Sequence, residues 1–339
     1  MNIRLVELRT PVPILERICT DCARLVGPEG QPVEDTVAAV SEFVFVKQAR
    51  FAEEIARTVG STAPLTDGAN AGSRSIAGKT TATREPGGVV RRVWIPEETM
   101  VRVAYAYAQP AEEVEERRYV ISHEIAHAWD FFVRGMVSPK ELTAEETLAA
   151  AFRIHTATEY HCQRLASEIA ACIHSSRAVS AALLSKRYGT TRTVVKESAQ
   201  RIWSVLDALR TGTMDTRKAS YIVHQELWSI LTDCAQIFAT ISAITPLADG
   251  CEHPWVGTCW EKVLCRHLEA VRTLASSYPH WSADTVRQVQ DVWEALGEEV
   301  FNCRFAGGGS EDRVVLCGTR DRCGLRGGSD SEELTGWGE

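Results

Sequence analysis

The stretch Tyr119-Val120-Ile121-Ser122-His123-Glu124-Ile125-Ala126-His127-Ala128-Trp129-Asp130 constrains this chain more than any other. Apolar Val120, Ile121, Ile125, Ala128, Trp129 and Phe132 recur at helical spacing and predict one buried face. Pro110 followed by Glu112, Glu113, Glu115 and Glu116 suits a helix start, and Gly135 offers a stop. On such a helix His123 and His127 project from one face, one turn apart. Two imidazoles at that spacing give the bite that a tetrahedral Zn²⁺ requires. Glu124 is turned roughly 100° from His123, too far round to share the ion but placed to reach a water beside it. Its expected role is general base. The competing structural reading is two core histidines in an amphipathic helix with a solvated Glu.

A catalytic zinc held by two histidines wants a third protein ligand and one open position. The extended motif with a third His on the same segment fails here, because Asp130 stands in place of its Gly and Val133 in place of its His. A carboxylate from a following helix is the other common solution. Within the helical region expected from about Ala144, capped by Thr143 with Glu146 three residues on, the candidates are Glu159, Glu168 and His155. Asp130 falls seven residues after His123, nearly on the same stripe. It is a candidate for a hydrogen bond that orients a ligand or its surroundings, or else a solvated carboxylate at the helix end. Tyr160 and His161, with Tyr119 and His155, are candidates to stabilise a tetrahedral intermediate.

Composition narrows the class. With 339 residues, 45% hydrophobic and 24% charged, the chain can bury a full core. A formal charge of −8 and the lack of a basic stripe argue against nucleic acid as a partner. No apolar run reaches the length of a membrane span, and the first residues lack a secretory core, so a soluble or peripheral protein is expected. Eleven cysteines are many for a reducing compartment. For most of them buried free thiols and disulfides are equally open readings, and Cys19-x-x-Cys22 has no second pair at zinc-ribbon spacing.

Taken in order, residues 1–36 carry Pro11, Pro13, Gly27, Pro28, Gly30 and Pro32 and are expected to be irregular. Residues 37–59 repeat apolar positions at near-helical spacing up to Gly60. Residues 61–88 read as a loop. Two β-type runs, Val89–Ile95 and Met100–Tyr107, precede the metal helix. A strand lying over such a helix can hold an extended peptide on its edge, though an ordinary core hairpin reads the same way. Residues 175–250 suggest two or three helices in which His224 is a packed or surface residue. A further helix pair over 255–277 and 283–305 is broken at Tyr278-Pro279-His280. The Gly-rich, acidic tail from about 306 to 339 is expected to be disordered.

The metal motif with its Ala128-Trp129-Asp130 ending resembles the mitochondrial inner-membrane metallopeptidases that process a mitochondrially encoded ATP-synthase subunit and help assemble the membrane sector. Two weaker blocks extend the likeness, Glu159–Ser167 and the pattern from Cys265 through Ala270, Ser277 and Val289 to Trp293. The chain departs from that family where His161 replaces an Arg and where an aromatic-Pro ending is missing around Phe301-Asn302-Cys303. ImmA/IrrE-like peptidases, which also place a Glu-x-x-Ala-Asn segment after the metal helix, are similar in part, at Arg118-Tyr119 before it. The first resemblance implies Glu159 as third ligand beside His123 and His127. It also implies a protein substrate at the mitochondrial inner membrane and peripheral attachment on the intermembrane-space side.

The combined expectation is an α+β, zincin-like metallopeptidase. A small sheet precedes the metal helix in a catalytic core over 37–174, and a helical extension over 175–305 packs on it. One catalytic Zn²⁺ serves an endopeptidase in which Glu124 is the base. The alternative readings are a non-enzymatic assembly factor that keeps the metal helix for structure, and an ImmA/IrrE-like peptidase that cleaves a regulator.

Overall fold

The computed structural model describes residues 1–24, 38–60, 78–100, 111–135, 159, 161–163, 177–244, 260–278, 280, 282–306 and 313–316. It is a mixed α+β protein, mostly helical, with a small sheet. The chain divides into two compact units. The first draws on 1–142, 158–185 and 239–246, and the second on 143–157, 186–238 and 247–339.

In the first unit β1 (Ile3–Val6), β2 (Glu42–Val46), β3 (Lys79–Glu85) and β4 (Gly88–Pro96) form one sheet in the order β1-β2-β4-β3. β1, β2 and β4 are parallel, and α1 (Val12–Arg24) provides the crossover from β1 to β2. β3 runs antiparallel to β4 and lies at the edge. A strand covered on both faces reads as an unbroken apolar run, which is what Phe43-Val44-Phe45-Val46 supplies. Phe43 and Phe45 join Val93 and Ile95 on one face, where α1 contributes Leu15, Ile18 and Cys22, and α3 (Ala111–Val133) contributes Ile121, Ile125 and Ala128. Val44, Val46 and Trp94 face the opposite layer, made by Phe51 and Ile55 of α2 (Phe51–Val59). Each such side chain withdrawn from water contributes about 1.5–3 kcal/mol before the cost of ordering. The Ser122 hydroxyl donates to the Cys22 carbonyl at 3.2 Å and ties the middle of α3 to the end of α1.

Several sequence expectations change here. Within the N-terminal segment residues 12–24 are helical rather than irregular, because Pro13 sits in the first turn of α1, where its missing N–H costs nothing, and 25–36 lie outside the described residues. The single helix expected over 37–59 is interrupted by β2, which spans Glu42–Val46 and whose apolar run matches helix and buried strand equally, and α2 starts at Phe51. Gly60, at φ 73°, ends α2 as expected. The loop expected over 61–88 gives way to β3 from Lys79, and 61–77 lie outside the described residues. Of the two β-type runs, the first is β4, Met100 is helical, and 101–107 lie outside the described residues.

The second unit is built on α4 (Arg177–Arg210) from Lys186 onward, α5 (Thr216–Ile244) as far as Phe238, α6 (Glu261–Ser276) and α7 (Ala283–Ala295). Its core includes Ile202, Leu206, Leu227, Ile230, Phe238, Leu264 and Val271. Ser282 caps α7 by accepting the Thr285 amide at 3.2 Å. A π turn over Leu296–Val300 then leads into β5 (Cys303–Ala306), which pairs with β6 (Arg313–Leu316). The tail is therefore ordered at least over β6, whose Val314 amide donates to the Ser220 hydroxyl of α5 at 2.7 Å. That anchor falls in a stretch whose Gly-rich surroundings hide it, and 317–339 lie outside the described residues. β5 likewise replaces the end of the expected helix over 283–305. His224 is packed as expected, stacked on Phe305 at 4.1 Å and edge-on to Trp293 at 4.8 Å.

Candidate metal centre

α3 brings His123 and His127 to one face, with ring centroids 4.6 Å apart and planes nearly perpendicular. Their Nε2 atoms lie 3.1 Å apart. Glu159, from a short helical piece that includes 161–163, places Oε2 3.2 Å from His123 Nε2 and Oε1 3.1 Å from His127 Nε2. Among the described residues these three form a cluster whose ligand atoms all lie within 4.8 Å of one another. With bonds of about 2.0–2.1 Å a tetrahedral ion separates its ligand atoms by roughly 3.3 Å, so the observed spacings fit a single shared ion. Two imidazoles and a carboxylate could hold a metal ion there.

The cluster is half sunk. His123 retains 13% of its side-chain exposure, and His127 and Glu159 each retain 10%. Burial disfavours a charged His127, yet Cys162 and Glu159 against the ring outweigh it and hold the imidazole pKa well above its ordinary value. The second nitrogen of that ring, Nδ1, lies 3.4 Å from Cys162 Sγ. Burial pushes the Cys162 thiol up to about 11, against the pull of His127.

Glu124, outside the three-residue cluster, is held by the start of β3. Its Oε2 lies 2.8 Å from Thr80 Oγ1, which also reaches the Glu124 carbonyl at 2.7 Å. Gly78 packs so closely that a Cβ there would sit 2.8 Å from Glu124 Cγ. The edge strand thus sets the rotamer of this carboxylate, which is buried but 8% exposed.

Asp130 is neither a solvated carboxylate nor, in its recorded hydrogen bonds, a partner of the ligand histidines. It is fully buried and forms a two-pronged pair with Arg134, Nε to Oδ1 at 2.7 Å and Nη2 to Oδ2. His161 is half-buried and does not belong to the three-residue cluster. Tyr160, His155 and Glu168 lie outside the described residues, as does the side chain of Tyr119. Phe132, expected on the buried face, is 49% exposed and covered by the Arg91 guanidinium at 4.9 Å. Sequence reasoning missed Thr80, Gly78 and Cys162, since none belongs to the motif and only the sheet and the Glu159 turn bring them to it.

Cys19, Cys22, Cys162, Cys234, Cys265 and Cys303 are free thiols, and all but Cys265 are buried. No helix among the described residues is long and apolar enough to cross a membrane. Compared with known proteins, the chain matches no family model, no curated sequence and no solved structure.

Proposed function

We propose that this chain is a zinc-dependent endopeptidase of the zincin type. The observation that carries the reading is the convergence of His123, His127 and Glu159 on one point, with Glu124 beside them and outside the ligand set. A set of two imidazoles and a carboxylate with one position left open is a catalytic rather than a structural zinc arrangement. The metal helix packed under a mixed sheet with an antiparallel edge strand supports the zincin reading.

Bound at this cluster, the ion supplies Lewis acidity, drawing the pKa of a water toward about 7 and polarising a scissile carbonyl. The chain's own residues do the rest. Glu124 takes the proton from the attacking water at a carboxylate oxygen and returns it to the leaving amine. Thr80 holds that carboxylate through its hydroxyl. The outer edge of β3 receives an extended substrate as an added strand, and Gly78 and Thr80 at its start bring the substrate backbone past Glu124. Tyr160 and His161, which follow Glu159 in the sequence, are proposed donors to the oxyanion. The substrate proposed is a protein of the mitochondrial inner membrane, such as an ATP-synthase subunit precursor, processed on the intermembrane-space side. That setting rests on the resemblance of Val120–Asp130 and Glu159–Ser167.

Glu124→Gln tests the reading. Peptide cleavage is expected to vanish while stoichiometric zinc remains, and His123→Ala is expected to lose the zinc. Undiminished cleavage by Glu124→Gln rules out the base, and absence of zinc from the unaltered protein rules out the centre.

A further inference from the structure

His127 is held at both ring nitrogens by two helical residues three apart in sequence. Glu159 Oε1 stands 3.1 Å from Nε2, and Cys162 Sγ stands 3.4 Å from Nδ1. Residues three apart on a helix share a face, so a single turn can place both groups around one ring. We propose that Cys162 is the positioning residue that fixes the His127 ring for metal binding, its sulfur accepting the Nδ1–H so that Nε2 is held toward the cluster. This rests on the metal reading of the site.

The chemistry follows from the tautomers of imidazole. A neutral ring that gives Nε2 to a metal carries its hydrogen on Nδ1, and that hydrogen needs an acceptor. Histidine ligands usually find a carboxylate, a carbonyl or water there. Here the position is sealed, since Cys162 is fully buried within the cluster that includes Ile121, Ile125, Ala126 and Ala128. The sulfur faces the nitrogen remote from the ligand cluster and is not itself one of the grouped ligands. Its role is thus to orient a ligand, and its weakness as an acceptor leaves the imidazole less basic than a carboxylate partner would.

The test uses the full chain and reads metal affinity directly. Zn²⁺ affinity is measured by chelator competition for the unaltered protein, Cys162→Ser, Cys162→Ala and Cys162→Val, with the visible spectrum of the Co²⁺ form as a second readout. Urea unfolding of the metal-free proteins gives the purely structural effect. Ala and Val are expected to weaken Zn²⁺ binding about 10- to 100-fold, the usual loss for an outer partner of a ligand. Ser, which keeps an acceptor, is expected to restore most of that loss although its metal-free stability need not recover. Val fills the space without accepting a hydrogen bond, so affinity in Val equal to the unaltered protein overturns the proposal. Failure of the unaltered protein to bind Zn²⁺ at a site sensitive to His123→Ala instead overturns the metal reading, and the proposal falls with it.

Discussion

Thr80 Oγ1 lies 2.8 Å from the carboxylate and 2.7 Å from the backbone carbonyl of Glu124, so one hydroxyl on the edge strand joins both ends of the same residue on the metal helix. The hydroxyl carries one hydrogen and can rotate it to either oxygen. Thr80→Val keeps the shape and removes both contacts. A hydrogen bond to a charged group contributes about 1.5–3 kcal/mol, so peptide hydrolysis by Thr80→Val should fall about 10- to 100-fold. Zinc affinity should stay unchanged, because Thr80 touches none of the three ligands in its recorded bonds. Steady-state kinetics beside chelator competition checks this, and Thr80→Ser should recover activity.

Gly78 gives the neighbouring constraint. A Cβ there would stand 2.8 Å from Glu124 Cγ and 3.2 Å from Oε1, closer than side chains tolerate. Cγ lies near the backbone, so the Glu124 side chain cannot yield without leaving its rotamer. Overpacking of this kind costs about 1–3 kcal/mol. Gly78→Ala should therefore lower the turnover number more than it raises KM, with zinc still bound. A variant with ordinary turnover would show that the Glu124 rotamer tolerates displacement.

The candidate metal site was largely legible from the motif, whereas the sheet around it was not. His123, Glu124 and His127 follow from helical geometry alone, since spacing four apart has one outcome on a helix. Glu159 needed ligand chemistry and a resemblance, and the structure brings it to the two rings. Thr80 and Cys162 could not be found because their roles depend on register and on a turn after a long insertion. β2 was misread for a physical reason: a strand buried on both faces has no alternation, and Phe43-Val44-Phe45-Val46 carries none. α1 was hidden by prolines that are harmless in a first turn.

Asp130 is a structural neighbour of the candidate site. Fully buried and paired with Arg134 one turn on, it lies close enough to raise the Cys162 thiol further. Removing one partner of a buried pair strands the other charge, at a cost of about 3–5 kcal/mol. Arg134→Ala should lower unfolding stability by that order. Asp130→Ala/Arg134→Ala should lose less than Arg134→Ala alone, because no uncompensated charge remains. Urea unfolding of the metal-free proteins measures both, and equal losses in the single and double variants would contradict the pairing.

In the second unit, His267 of α6 supplies a pH dependence with a defined sign. Its Nε2–H donates to the Leu231 carbonyl of α5 at 2.8 Å, and Nδ1 has no partner among the described residues. Burial lowers the imidazole pKa to about 4, against the pull of that carbonyl. The unfolded chain binds a proton at about 6.5 that the folded chain refuses until about pH 4, so between these values the unfolded state holds more protons. Stability is thus fully present above pH 6.5 and is lost as the pH falls toward 4. The linkage amounts to about 2 kcal/mol between pH 7 and pH 5. His267→Gln keeps an N–H for the Leu231 carbonyl but does not titrate. Its urea unfolding free energy should change over that pH interval by about 2 kcal/mol less than that of the unaltered protein. Parallel pH profiles for the two proteins would mean that His267 accepts its proton in the folded state as readily as in the unfolded one.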